Sequence, residues 1–265
     1  MTDGRLSRRQ VLTTAGAGAL AGLAGCVGSE EDPTTTRTTE RTTDSTTKTT
    51  TETATAEPTT AAQSTETTTG DGPRTVTFES TTGAAVTGTL YPGGSCAVVL
   101  VPQINLDRES WRPYAERLAE AGYTALAIDE REDERAASVV GAVQYLNGRD
   151  AGSVVLVGAS SGGEAVVRAN ARADRGSVDG TVTLSAAGGA SVAPDLQGRL
   201  LFVVSEGDDD RFVETARALH ENAPDPKRLV TYDGDAHGQR LFETGHATDL
   251  ASKVVGLLSA ACESA

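Results

Sequence analysis

A serine that could act as a nucleophile stands in the middle of residues 158–162, which read GASSG. An apolar, β-branched run precedes it and a helical pattern follows, so Ser160 is predicted at the tip of a sharp turn between a strand and a helix. Glycines two positions to either side allow the chain to turn that tightly. The amide of Ser161, at the start of the helix, is then placed to bind an oxyanion. A glycine-rich turn of this kind can also be purely structural.

An aspartate cluster and a histidine follow two later predicted strands. Residues 208–210 (DDD) come after the strand that ends at Ser205, and His237 comes after the strand that ends at Tyr232. Because the carboxyl ends of parallel strands share one edge of a sheet, both groups are expected to lie near Ser160. The order Ser, Asp, His is the order that the turn motif predicts. The residues therefore indicate a nucleophilic triad, with a surface histidine and a solvated aspartate cluster as the structural alternatives.

Strands and helices alternate through the part of the chain that carries these residues. This alternation predicts an α/β fold with a mostly parallel sheet, an N-terminal antiparallel hairpin and helices on both faces. The predicted strands span 75–78, 84–91, 96–101, 125–128, 154–157, 180–185, 200–205 and 228–232, and the predicted helices span 111–121, 135–146, the segment after Ser160, 213–221 and 248–262.

Residues 1–25 have the pattern of a targeting segment. Arg8 and Arg9 precede an apolar stretch that is shorter than the roughly 20 residues of a membrane-spanning helix. The twin arginine resembles signals for export in a folded state, and Leu-Ala-Gly before Cys26 resembles the lipobox of bacterial and archaeal lipoproteins. These resemblances imply a lipid anchor on Cys26 at the extracellular face of the cell membrane. An uncleaved hydrophobic anchor is the alternative.

Residues 26–73 are dominated by threonine and show no apolar periodicity. Such a segment cannot bury enough apolar surface to offset the entropy of ordering, so we predict a disordered tether. From residue 74 to residue 265 the composition is that of a globular domain, which is long enough for one hydrophobic core.

The chain is acidic, with a formal net charge of −14. This charge argues against a nucleic-acid partner, because phosphate contacts need clustered cations. The acidity, with few lysines and many arginines, resembles proteins of salt-loving archaea. No cofactor is predicted, and a metal site at Asp208 and Asp209 is a minor alternative. Cys96 and Cys262 could pair outside the cell, although positions in a core strand and in the last helix favour two buried thiols.

Residues 74–264 resemble the α/β-hydrolase fold, and within it the small dienelactone hydrolase-like esterases that lack a cap domain. Ser161 and the glycines at 162–163 match the residues that follow the nucleophile in that family. The resemblance implies that Ser160 attacks an ester carbonyl and that an acyl-enzyme forms.

The same resemblance implies roles for the two later groups. Gly207 followed three positions later by Asp210 matches the family's acid turn, so Asp210 is preferred over Asp209 as the triad acid. Gly234 followed three positions later by His237 matches its histidine turn. Asp208 and Asp209 are then interpreted as solvated.

One departure from the family lies after the first core strand, where residues 102–103 read Pro-Gln instead of His-Gly. The amides of the oxyanion hole are implied at Ser161 and Ile104, with Gln103 as the alternative to Ile104. Only about fourteen residues separate Ser185 from Leu200, which leaves no room there for a lid domain. We therefore expect a serine hydrolase of small or soluble esters. The alternatives are a non-catalytic binding lipoprotein and a peptidase or acyltransferase with the same triad.

Overall fold

The computed structural model describes residues 72–131 and 133–263, which form eight strands and five α-helices. The predicted targeting segment, Cys26 and nearly all of the predicted tether lie outside these residues. The strands are β1 (Arg74–Glu79), β2 (Ala85–Tyr91), β3 (Cys96–Val101), β4 (Thr124–Asp129), β5 (Ser153–Ala159), β6 (Gly180–Leu184), β7 (Arg199–Ser205) and β8 (Lys227–Tyr232). The helices are α1 (Arg112–Glu120), α2 (Arg135–Asn147), α3 (Ser161–Arg172), α4 (Asp210–Asn222) and α5 (Ala247–Cys262).

All eight strands form one sheet in the order β1-β2-β4-β3-β5-β6-β7-β8. The pairs β1–β2 and β2–β4 are antiparallel, and every other neighbouring pair is parallel. The predicted mostly parallel sheet with an N-terminal antiparallel hairpin is therefore confirmed, with element ends within a few residues of the predicted ones. The insertion of β4 between β2 and β3 follows from long-range pairing and has no signal in the local sequence pattern.

Helices cover both faces of the sheet, as predicted. In β3, Val98 and Leu100 belong to the core cluster that includes α1 and α5 residues, whereas Val99 and Val101 belong to the cluster that includes α2 and α3 residues. Successive side chains of a strand point to opposite faces, so a strand that is covered on both faces must be apolar throughout. The continuous apolar runs of the central strands have this origin.

No cap domain is inserted between β6 and β7. The connection over residues 185–198 contains one 3₁₀ turn, Ala190–Asp195. Within the described residues, no helix has the length and apolar character that a bilayer crossing requires.

Cys96 and Cys262 form a disulfide, with their Cα atoms 5.8 Å apart and 166 positions of chain between them. The expectation of two buried thiols is wrong. Cys96 opens β3 and Cys262 ends α5. The last turn of α5 packs beside the amino end of the sheet, which brings the two sulfurs together. The bond therefore joins the first parallel strand of the sheet to the final helix.

We expect the double variant Cys96→Ser/Cys262→Ser to unfold with a free energy lower by about 2–5 kcal/mol, because the bond closes a long loop and so restricts the unfolded chain. Urea denaturation of the two proteins, monitored by circular dichroism, measures the difference. Equal midpoints and slopes for both proteins would contradict this expectation.

Candidate active site

Ser160 occupies the turn between β5 and α3 in a strained backbone conformation, with φ 49° and ψ −113°. The turn is possible because the residues two positions to either side, Gly158 and Gly162, carry no side chain. A Cβ on Gly158 would lie 2.2 Å from the carbonyl oxygen of Gly162, and a Cβ on Gly162 would lie 2.3 Å from that of Pro102. Non-glycine residues with positive φ are uncommon and concentrate at functional sites. The sequence prediction of a sharp strand-to-helix turn at this serine is confirmed.

Backbone hydrogen bonds fix this turn to the neighbouring chain. The amide of Ser160 donates to the carbonyl of Leu184 at 2.9 Å, and its own carbonyl accepts from the amides of Ala187 at 2.9 Å and Glu164 at 3.0 Å. Ser160 is only 6% exposed. The backbone of Ser160 is thus held by the segment at the end of β6 and by the first turn of α3, at the carboxyl edge of the sheet.

His237 lies in the connection after β8 and contacts the serine directly. Its Nε2 is 2.8 Å from the Ser160 Oγ, across 77 positions of sequence. Its Nδ1 is 2.9 Å and 3.1 Å from the two carboxylate oxygens of Asp208. An ionised carboxylate can only accept, so Nδ1 carries the ring proton and Nε2 is free to accept the serine proton. The structure therefore places a hydroxyl, an imidazole and a carboxylate in one hydrogen-bonded chain.

The acidic member of this chain is Asp208, and the prediction that Asp210 contacts the imidazole is wrong. Gly207 is followed directly by Asp208, whose side chain is 5% exposed against the ring. Asp209 is the N-cap residue of α4, and Asp210 is the first residue of that helix; both are exposed. The interpretation of Asp208 as a solvated residue is wrong as well. Helix α4 begins at Asp210, two positions after the aspartate whose carboxylate reaches the histidine.

Hydrogen bonds join the turn that carries Asp208 to the connection that carries His237, in addition to the contact between the two side chains. The Ser205 hydroxyl, which is fully buried, donates to a backbone carbonyl beside His237. Two backbone amides of the aspartate turn also donate to carbonyls of the histidine connection. The three bonds run from Ser205 Oγ to Ala236 O at 2.7 Å, from Glu206 N to Tyr232 O at 2.8 Å and from Gly207 N to Gly234 O at 2.9 Å.

The two predicted oxyanion amides lie on neighbouring segments at the same edge of the sheet. Ser161 is the first residue of α3, and the first amides of a helix have no partner within it. Ile104 lies in a turn that the amide of Leu106 closes by donating to the carbonyl of Gln103 at 3.1 Å. In the same turn Asn105 has φ 67°. The close approach of α3 to residues 101–102 places this turn next to the serine.

Two further residues contact the site, and no role there was predicted for either of them from the sequence. The ring of Phe212 packs 4.1 Å from the imidazole of His237, measured between centroids. Phe212 is buried on the first turn of α4, a position that its apolar helical spacing explains equally well. Gln239 is also buried, and its amide group contacts the segment that holds Ile104.

Trp111 is a core residue at the border of a cavity. It is 1% exposed and meets Tyr114 and Phe242 edge to face, with ring centroids 5.6 Å and 6.4 Å apart. These rings, with residues of α1 and α5, line an apolar cavity of about 290 Å³. Ser160 and His237 are not among its lining residues. The structure therefore assigns Trp111 to packing in the core and not to the surroundings of Ser160.

Among the described residues, no group of three or more His, Cys, Asp or Glu side chains is arranged to hold a metal ion. Of the other histidines, His246 contacts the carboxylate of Asp233 through its Nε2 and stacks on Tyr232, with ring centroids 4.7 Å apart. It lies at the start of α5 and takes no part in the chain of hydrogen bonds at Ser160.

Glu130 follows β4 at the same edge of the sheet and is a buried carboxyl group. Burial raises the pKa of Glu130 to about 7. Arg135, whose Nε lies 3.4 Å from a Glu130 oxygen, lowers this pKa but by less than burial raises it. Since the folded protein binds this proton more tightly than the unfolded chain does, ionisation of Glu130 opposes folding.

We therefore expect the stability of the protein to fall relative to Glu130→Gln as the pH rises from about 4.5 to above 7. The variant has no carboxyl group to ionise at this position, so its advantage should grow by roughly 2–3 kcal/mol across that window. Denaturant unfolding of both proteins at pH 4, 6 and 8 measures the difference. A difference that stays constant with pH would contradict the assignment.

Comparison with known proteins gives matches at the level of structure. A scan against models of protein families finds no match, and neither does a search of curated proteins. Among solved structures, the chain is similar to an esterase domain from Rhodothermus marinus, with 18% identity, a TM-score of 0.56, and 69% of this chain and 96% of that chain covered. It is also similar to an esterase from Pyrococcus furiosus, with 14% identity, a TM-score of 0.60, and 74% and 90% covered.

A dienelactone hydrolase from Anabaena variabilis is similar as well, with 23% identity, a TM-score of 0.59, and 75% of this chain and 98% of that chain covered. The chain has the α/β-hydrolase fold. The resemblance that the sequence motifs indicated is confirmed at this level. In an α/β-hydrolase, the turn after β5, the turn after β7 and the connection after β8 meet at one edge, which is where Ser160, Asp208 and His237 lie.

Proposed function

We propose that this protein is a serine hydrolase that cleaves carboxylic esters through an acyl-enzyme. The observation that carries the proposal is the hydrogen-bonded chain from the Ser160 hydroxyl through His237 to the Asp208 carboxylate, with separations of 2.8 Å and 2.9 Å. A serine hydroxyl is a weak nucleophile until a base removes its proton, and this arrangement supplies the base and orients it. The esterases among the structural neighbours support the same proposal.

In the first half-reaction, the Ser160 oxygen attacks the ester carbonyl carbon as its proton passes to Nε2 of His237. The carbonyl oxygen becomes an oxyanion, which the amides of Ser161 and Ile104 stabilise. Asp208 holds the Nδ1 proton and stabilises the imidazolium. When the tetrahedral species collapses, the bond to the alcohol oxygen breaks, and Nε2 returns the proton to the departing alcohol. A water molecule then repeats the sequence on the acyl-enzyme and releases the acid.

The shape of the site supports small or soluble esters as substrates. Within the described residues, no cap domain covers the carboxyl edge of the sheet, and the connection between β6 and β7 contains only a 3₁₀ turn. Among the described residues, the large apolar side chains that are most exposed are Ile104 and Leu106, at 51% and 47%. Both lie on the turn beside the serine, where they would contact a short apolar acyl or alcohol group.

We further propose that the protein works outside the cytoplasm, held to the membrane by a lipid on Cys26. The proposal rests on the twin arginine and the lipobox-like residues before this cysteine. The disulfide between Cys96 and Cys262 supports it, because such bonds persist in oxidising compartments. The acidic surface supports function in high salt.

Hydrolysis of p-nitrophenyl esters from acetate to dodecanoate, in low and high salt, tests the proposed activity. We expect turnover that is highest for short acyl chains and absent in Ser160→Ala. Turnover of peptide or transfer to an amine acceptor, without ester hydrolysis, would support the peptidase or acyltransferase alternative. Absence of all three activities in folded protein would support the non-catalytic one.

A further inference from the structure

Two glutamines join the oxyanion turn to the histidine connection by a reciprocal pair of hydrogen bonds. The amide of Gln239 donates to Gln103 Oε1 at 3.0 Å, and the amide of Gln103 donates to Gln239 Oε1 at 3.4 Å. The residues are 136 positions apart in sequence. Among the described residues, these are the hydrogen bonds that link residues 102–106 to residues 237–239. We refer to the pair as the glutamine clamp.

The clamp lies between the two catalytic segments. Gln103 immediately precedes Ile104, the proposed oxyanion residue, and Gln239 is two positions after His237. Gly238, which lies between His237 and Gln239 in the sequence, has φ +59°, and a Cβ at this position would lie 2.2 Å from Gln103 Oε1. The glycine therefore gives the Gln103 side chain the space that it needs to reach the Gln239 amide.

The second end of the Gln239 side chain is also bonded. Its Nε2 donates to the hydroxyl of Ser110 at 3.0 Å, and that hydroxyl donates to the carbonyl of Asp107 at 2.6 Å. Gln239 is 7% exposed. A buried amide with both ends bonded holds its rotamer, so the clamp connects the histidine segment to the whole stretch 103–110 that follows β3.

We propose that Gln103 and Gln239 are positioning residues that set the distance between the oxyanion amide of Ile104 and the imidazole of His237. The proposal rests on the proposed hydrolase function. The backbone bonds described above tie the aspartate turn to the histidine connection, but the oxyanion turn is held to that connection by the clamp. Misplacement of a reacting group by about 1 Å can reduce a rate about 10²-fold, so two loops that share a reaction need such a connection.

The variants Gln103→Leu and Gln239→Leu each remove the side-chain oxygen that accepts one bond of the clamp while keeping a similar size, and Gln239→Leu also removes the Nε2 bond to Ser110. We expect either variant to lower kcat for ester hydrolysis by about 10–100-fold, with KM changed by less than about threefold, because the ground-state contacts of the substrate are retained. Titration with a fluorophosphonate measures the concentration of active sites, so that unfolded protein does not count as a loss of kcat.

The matched control is Gln197→Leu. The Gln197 side chain accepts from the amide of Gly176 at 2.6 Å and donates to the carbonyl of Asn170 at 3.2 Å, at the amino edge of the sheet. It is a glutamine that joins loops away from Ser160. We expect this variant to lose stability and to keep kcat within about twofold, since surface loops remote from the reaction do not position its groups.

Hydrogen exchange gives a readout that does not depend on activity. In Gln103→Leu the Gln239 amide has lost its acceptor, and its exchange is expected to be about tenfold faster or more than in the wild type. Unchanged kcat in both clamp variants, or an equal loss in Gln197→Leu, would overturn the proposal, as would unchanged exchange. A wild type without ester hydrolysis would instead overturn the proposed function, while exchange would still report on the clamp.

Discussion

Asp208→Asn is expected to lower kcat for ester hydrolysis about 10⁴-fold, although it replaces only one heavy atom of the side chain. The carboxylate of Asp208 accepts the Nδ1 proton of His237, at 2.9 Å and 3.1 Å. An asparagine amide can present its N–H to the same nitrogen, which moves the ring proton to Nε2. The Ser160 hydroxyl then faces a donor and has no base.

Asp210→Asn and Asp209→Asn are the matched controls, because both are exposed aspartates in the same run of three. We expect each to keep kcat within about twofold, as exposed substitutions away from a site usually do. Steady-state kinetics of the three variants on one p-nitrophenyl ester makes the comparison. A larger loss for Asp210→Asn than for Asp208→Asn would restore the assignment that the sequence motif favoured.

Ser160→Ala is expected to lower kcat by roughly 10⁵–10⁶-fold, because it removes the oxygen that forms the acyl-enzyme. The control is Ser161→Ala, since the proposed mechanism uses only the backbone amide of that residue. We expect this control to keep at least about half of the activity, and both variants to fold. Ester turnover, calibrated against a no-enzyme blank, measures the two effects.

Loss of turnover in Ser161→Ala with full turnover in Ser160→Ala would move the nucleophile by one residue. Equal, partial losses in both variants would indicate that the turn itself, and no single hydroxyl, determines the rate. Neither result is compatible with a 2.8 Å contact between Ser160 Oγ and the catalytic base.

The proximity of Ser160 and His237 could be predicted from the sequence because it depends on a general property of parallel sheets. Each residue follows a strand with an unambiguous apolar pattern, and the carboxyl ends of those strands lie on one edge. The same reasoning identified the elements that surround the site. Local patterns of burial and turn formation were sufficient for this part of the fold.

The choice among the three aspartates could not be made in this way. Each of the three aspartates could cap a helix or face an imidazole, and the outcome depends on the position at which α4 begins. In the structure Asp210 is the first residue of that helix and Asp209 is its N-cap residue, whereas Asp208 lies before the cap and contacts His237. A spacing of three from Gly207, which the family resemblance favoured, falls inside the helix.

Contacts between residues that are far apart in sequence also could not be predicted from local sequence patterns. The Cys96–Cys262 bond depends on where the last turn of α5 lies against β3, and the clamp between Gln103 and Gln239 depends on the packing of two loops. Neither has a local periodicity or a spacing that predicts it. Both follow from the tertiary arrangement of elements that were individually predictable.

The most direct test of the central claim is to locate the residue that reacts with a fluorophosphonate. Tandem mass spectrometry of the labelled tryptic peptide 150–168 separates the serines within it. A hydroxyl that is activated by His237 and Asp208 attacks phosphorus and keeps the label, so the account predicts one phosphonate on Ser160. A label on Ser161 or on any other residue, or no label on folded protein, would contradict it.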